Sequence, residues 1–198
     1  MIKVGLTGGI GSGKTTVSNF FLDYGIPVYN SDSQGKTLMN TNLELKNDIV
    51  SLFGKSVYDN GILNTNLLSS IVFNDSTKIE QLNNLVHPKV AQDFNQWVGK
   101  NNNKPILVKE AAILIESGAY LNMDKIILVV SEKSTRINRV SKRDNSDLDY
   151  IEKRINHQLT DNEKIKYADY IIENNSSLEH LKLEVLKVVN KIREVNKD

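Results

Sequence analysis

Short apolar runs alternate along this chain with stretches of 3.6-residue apolar rhythm, a pattern that predicts strands separated by helices. The first run, Ile2-Lys3-Val4 continuing through Gly5-Leu6-Thr7, reads as a strand. Positions 14–24 then carry Val17, Phe20, Phe21 and Tyr24 on one helical face until Gly25 stops it. Further strands are predicted over 26–30, 105–110, 125–130 and 170–172, the run Ile126-Ile127-Leu128-Val129-Val130 being the clearest. A closing helix over 177–195 presents Leu178, Leu181, Val185, Leu186, Val189 and Ile192 inward. Five short strands joined by helices predict an α/β fold with a doubly wound, five-stranded parallel sheet.

Between the second and third strands lie about seventy residues with helical spacing, far more than a crossover requires. Leu43, Leu45, Ile49, Leu52 and Phe53 predict one helix ending at Gly54, and a turn is expected at Asp59-Asn60-Gly61. Leu67, Leu68, Ile71, Val72 and Phe73 predict another, with Ile79, Leu82, Leu85 and Val86 continuing the pattern to His87-Pro88. A separate helix bearing Val90, Phe94, Trp97 and Val98 would start there, with proline in its first turn. Residues 111–120 read as a short helix or turn containing Glu116. Helices are also predicted over 134–143, 148–158 and 161–166. The organisation expected is one domain over 1–198. Its core comprises about 1–32, 104–133 and 168–198, with a helical substrate-binding insertion over about 33–103 and a helical lid over about 134–167.

Composition narrows the function without naming it. The 198 residues are 39% hydrophobic and 25% charged with a net charge of +1, so nothing favours nucleic acid or an anionic membrane as partner. Cysteine is absent, which excludes disulfides and thiolate metal sites. The chain opens on a strand-like run, and no apolar run approaches the ~18 residues of a membrane span. A cytoplasmic, monomeric protein is expected.

The chemistry is concentrated after the first strand. Gly8-Gly9-Ile10-Gly11-Ser12-Gly13-Lys14-Thr15-Thr16 fits G-x-x-x-x-G-K-S/T between a strand and a helix, the context that pattern requires. Glycines let several amides converge on one concavity, and the following helix adds the positive end of its dipole, so phosphate oxygens of ATP bind there. Gly8, Gly9, Gly11, Ser12, Gly13, Lys14, Thr15 and Thr16 would form this cradle. Lys14 would reach the β- and γ-phosphates, and the Thr15 hydroxyl would ligate Mg²⁺. Asp32 follows the second strand and Glu110 ends the third; in an open parallel sheet both fall on the ligand-binding rim. An alcohol acceptor must lose a proton during transfer, and Asp32 is placed to take it, with a helix cap or a distant metal–water ligand as alternatives.

Arginine supplies a second signal. It occurs five times, and four of the five lie between 136 and 154. Arg136, Arg139 and Arg143 stand at i, i+3 and i+7, projecting from one helical face, and Arg154 follows on the next helix. Guanidinium forks grip phosphate oxygens in a way lysine does not reproduce, so a lid carrying them could close over a triphosphate.

The stretch Leu6 to Val17, the segment Gly25-Ile26-Pro27-Val28 to Asp32, Leu85-Val86-His87-Pro88, Ala111-Ala112-Ile113-Leu114-Ile115-Glu116, and Arg139 with Arg143-Asp144 together resemble the dephospho-coenzyme A kinases over nearly the whole chain. The resemblance implies a P-loop kinase fold and transfer of the ATP γ-phosphate to the ribose 3′-hydroxyl of dephospho-CoA, the last step of coenzyme A synthesis. It implies Asp32 as base, Lys14, Arg139 and Arg143 as catalytic cations, and residues 33–100 as the substrate region, with His87, Glu110 and Glu116 candidates for acceptor binding. The chain departs from the family pattern at Asn30, where an acidic residue is usual, at Ala112, usually proline, and at Glu110, usually one methylene shorter. Another kinase of this architecture, acting on a nucleoside, nucleotide or small alcohol, is the nearest alternative. A nucleotide-binding regulatory module is more distant, since the chain has no N-K-x-D base-recognition motif.

Overall fold

The computed structural model describes residues 1–72, 75–144, 148–156 and 158–195, and for 149, 150 and 195 the backbone alone. The chain divides into two compact units, 1–30 with 100–198, and 31–99.

The larger unit is built on strands β1 (Ile2–Gly8), β2 (Val28–Asn30), β5 (Ile106–Glu110), β6 (Lys125–Val130) and β7 (Tyr170–Glu173). They form one sheet in the order β2-β5-β1-β6-β7, and every pairing is parallel. Parallel strands covered on both faces read as continuous apolar runs, which is why the strand signals were legible without alternation. One face is covered by α1 (Lys14–Asp23) and α9 (Leu178–Val195), whose Val17, Phe21, Leu181, Val185 and Val189 bury against Val4, Leu6, Val108 and Ile127. Against the sheet's other side Leu114 packs with Ile126 and Ala111. A 3-10 turn, Ala119–Asn122, precedes β6, and helices α6 (Lys133–Asp144), α7 (Leu148–Asn156) and α8 (Asp161–Ile165) connect β6 to β7. These three helices therefore belong to the same unit as the sheet.

The second unit runs through α2 (Ser31–Thr41), α3 (Leu43–Phe53), a 3-10 turn Lys55–Val57, a hairpin of β3 (Tyr58–Asp59) and β4 (Ile62–Leu63), α4 (Thr65–Val72) and α5 (Ser76–Lys100). Its core gathers Leu45, Ile49, Val57, Leu63 and Leu68 with Leu82, Leu85 and Val86. The expected turn at 59–61 is present, and the expected helix break at His87-Pro88 is corrected here. Asn60-Gly61 is the tip of a hairpin, both residues at positive φ, as a two-residue primed turn demands; strands of two residues are too short to show alternation. Instead of breaking at His87-Pro88, α5 is continuous with Pro88 inside it. Apolar packing along the helix, with Val86 and Val90 both beside Gly35 of α2, outweighs the hydrogen bond that proline removes. Phe73, assigned by pattern to the α4 helix, lies outside the described residues, as do 145–147 and 157 of the expected lid. Among the described residues no helix is long and apolar enough to cross a membrane.

Candidate active site

Parallel strands put all their carboxyl ends on one edge of the sheet, and the glycine loop leaves β1 there. Gly13, immediately before α1, has φ 97° and ψ 21°, a left-handed turn that glycine adopts without strain. A side chain at Gly8 would strike the Val129 carbonyl on β6, so that glycine is required by close approach. Lys14 folds back into the loop, its Nζ donating to the carbonyls of Gly8 at 2.8 Å and Gly9 at 3.2 Å. The Ser12 hydroxyl is buried inside the loop and has no partner among the described residues. Thr15 is exposed in the first turn of α1. This donor set fits a triphosphate: amides and an ammonium around a concavity with an unsatisfied hydroxyl, beside a helix start. Thr15 offers a hydroxyl to a divalent cation.

Beside the loop, the Glu110 carboxylate at the end of β5 is only 4% exposed. It accepts hydrogen bonds from Ser18 Oγ of α1 at 2.7 Å and from Asn30 Nδ2 of β2 at 2.9 Å. An acid at position 30 would oppose the Glu110 charge, whereas the asparagine amide donates to it.

The arginines do not behave as one group. Arg136 is 7% exposed, with Nε on the Ile10 carbonyl at 3.0 Å and Nη1 on Asp161 Oδ2 at 3.3 Å. Arg139 reaches across to Ser131 Oγ at 3.3 Å and to the Asn174 carbonyl at 3.1 Å. Asn174 in turn donates to the Ser12 carbonyl at 2.8 Å, so Arg139 is tied to the phosphate loop through one residue. Arg143 is exposed and binds Asp144 through Nε and Nη2 at 2.6 and 2.9 Å, a pairing that raises its pKa further. Arg154 approaches the same aspartate at 3.5 Å. The sequence spacing put three arginines on one helical stripe; the structure sets two at the loop and leaves the third paired at the far end of α6.

Glu116 has a structural engagement. It pairs at 2.9 Å with Lys164 of α8, whose side chain is 0% exposed, and accepts from the Leu159 amide at 3.0 Å. Glu116→Gln leaves a buried ammonium without its counter-charge and is expected to destabilise the fold by about 3 kcal/mol. A lowered melting temperature with an unchanged KM for the acceptor is the result to look for; the reverse would move Glu116 into the acceptor pocket. Asp32 and His87 lie in the second unit, on α2 and α5 respectively. Asp32 is exposed within the first turn of α2, which opens at Ser31. Ser18, Gln158 and Asn174, each bonded to a site residue, lay outside any motif; their roles depend on partners 92 to 162 positions away.

This site meets its relatives along almost the full chain. The model of the dephospho-CoA kinase family matches residues 2–180. The chain belongs to that family. A dephospho-CoA kinase of Bacteroides fragilis is 38% identical over 174 residues, 88% of this chain and 85% of that one. Among solved structures, TT1252 from Thermus thermophilus superposes with TM-score 0.85 at 29% identity, covering 96% of both chains. The dephospho-CoA kinase from Campylobacter jejuni gives TM-score 0.72 at 26% identity over 98% of both. The chain is accordingly an ATP-dependent kinase that phosphorylates dephospho-CoA in coenzyme A synthesis.

Proposed function

We propose that the acceptor atom is the ribose 3′-hydroxyl of dephospho-CoA and that Asp32 is the general base. Asp32 takes the hydroxyl proton as the oxygen bonds to the γ-phosphorus and the bond to the ADP oxygen breaks. Lys14 and the loop amides hold the β- and γ-phosphates, and Arg139 offsets charge spreading over the transferred group. The Thr15 hydroxyl would hold Mg²⁺, which would supply positive charge to offset that of the phosphates. Arg143 closes from the lid, and His87 helps shape the acceptor pocket. The enzyme is expected to act as a cytoplasmic monomer, without nucleic acid.

The observation that supports this best is the loop itself: a lysine folded onto loop carbonyls between β1 and α1, on the sheet edge where β2 ends two residues before Asp32. A coupled ADP-release assay with an acceptor panel tests it. Turnover is expected with dephospho-CoA, and mapping of the product phosphate is expected to find it on the 3′-oxygen. Turnover with AMP, UMP or gluconate in its place would end this reading. Arg139→Lys keeps the charge but not the fork that spans Ser131 and Asn174. It is expected to lower kcat about tenfold or more, whereas Arg143→Lys, at an exposed position, falls less; steady-state kinetics decide between the two.

A further inference from the structure

Ile10 is the only apolar side chain in the glycine loop, and it is held by the segment that follows β6. Its amide donates to Gln158 Oε1 at 2.8 Å, and its carbonyl accepts from Arg136 Nε at 3.0 Å. Its side chain is 8% exposed and packs with Val140 of α6 and Ile151 of α7. Both anchoring side chains are themselves fastened. Gln158 Nε2 donates to the Ala112 carbonyl at 3.1 Å, and Arg136 is paired with Asp161. The loop's glycines answer to this contact as well: a side chain at Gly9 would strike the Arg136 guanidinium, and one at Gly11 would come within 2.5 Å of the Arg136 carbonyl oxygen and 2.9 Å of Val140.

We propose that Gln158 and Arg136 are positioning residues that clamp the Ile10 peptide from both ends and pre-order the phosphate loop before ATP arrives. A glycine-rich loop has more backbone freedom to lose than any other segment, so an enzyme that orders it only on binding ATP loses affinity. Here the ordering is done in advance by two hydrogen bonds and an apolar plug, all made to Ile10. Losing the clamp therefore weakens the ground state and the transition state alike. That signature is a raised KM for ATP with kcat retained.

Gln158→Met keeps the length of the side chain and removes both hydrogen bonds. It is expected to raise KM for ATP by about fivefold to tenfold, the scale of one hydrogen bond's contribution, while kcat and KM for dephospho-CoA stay within about twofold. Amide hydrogen exchange at 9–12 is expected to quicken in the nucleotide-free variant and to return to the wild-type rate with saturating ATP. Gln158→Asn, whose amide falls short of Ile10, is expected to behave the same way and serves if the first variant is insoluble. A fall in kcat at unchanged KM for ATP, or exchange at 9–12 indistinguishable from wild type, overturns the clamp. The inference rests on the loop being the triphosphate site, and that is tested separately in the wild type. If ATP fails to slow exchange across 8–16 there, the site assignment falls; if ATP slows it and the variant matches wild type, the clamp alone falls.

Discussion

Asp32→Asn is expected to lower kcat by at least ~10²-fold while ATP binds as in the wild type. The substitution preserves the shape of the side chain but replaces a basic carboxylate with an uncharged amide that does not take the hydroxyl proton. Asp32 also stands in the first turn of α2, where a negative charge favours the helix dipole. That second role is worth only about 0.3–1 kcal/mol, so the two are separable by measurement. A base shows its loss in kcat with little change in melting temperature, whereas a helix-terminus residue shows the opposite. Calorimetry with ATP and single-turnover transfer to dephospho-CoA together give the answer; turnover within a few-fold of wild type would take Asp32 out of the chemistry.

Lys14→Met is expected to lower kcat/KM for ATP by ~10²–10³-fold, the range seen when a preorganised donor to developing charge is deleted. The reasoning starts from where the ammonium now sits. It is 9% exposed, buried in the loop on the Gly8 and Gly9 carbonyls, so it stays near the position of the phosphates instead of ranging through solvent. Charge that spreads over the equatorial oxygens during transfer then meets a cation already in place. Methionine fills the same stem volume without the charge, so thermal unfolding is expected to change far less than the kinetics. Lys14→Arg is expected to fail as well, because a planar fork does not fit a site closed around an ammonium. Retention of kcat/KM within tenfold by the methionine variant would remove Lys14 from transition-state stabilisation.

The site divides into parts that local sequence determines and parts that it does not. The glycine loop was legible because the strand before it, the turn and the helix after it all depend on residues within a window of about twenty positions. The same holds for β5 and β6, whose burial on both faces demands unbroken apolar runs. Arginine scarcity flagged α6, yet helical spacing alone could not separate Arg136 and Arg139, turned to the loop, from Arg143, which pairs with its neighbour Asp144. Glu116 stood in a recognisable motif, but its partner Lys164 is contributed by a helix 48 residues on.

Sequence by itself determined the strands and the glycine loop, since each rests on contiguous residues whose spacing has one physical use, while the kinase family came from a resemblance spread over separate segments. Only the tertiary structure decided what supports that cradle: Glu110 held by Ser18 and Asn30, Asn174 on Ser12, Gln158 and Arg136 on Ile10. Those are hydrogen bonds between groups far apart in the chain. Donors and acceptors of this kind carry no periodicity, and which of them pair is set by how distant strands, helices and loops pack together around the glycine loop.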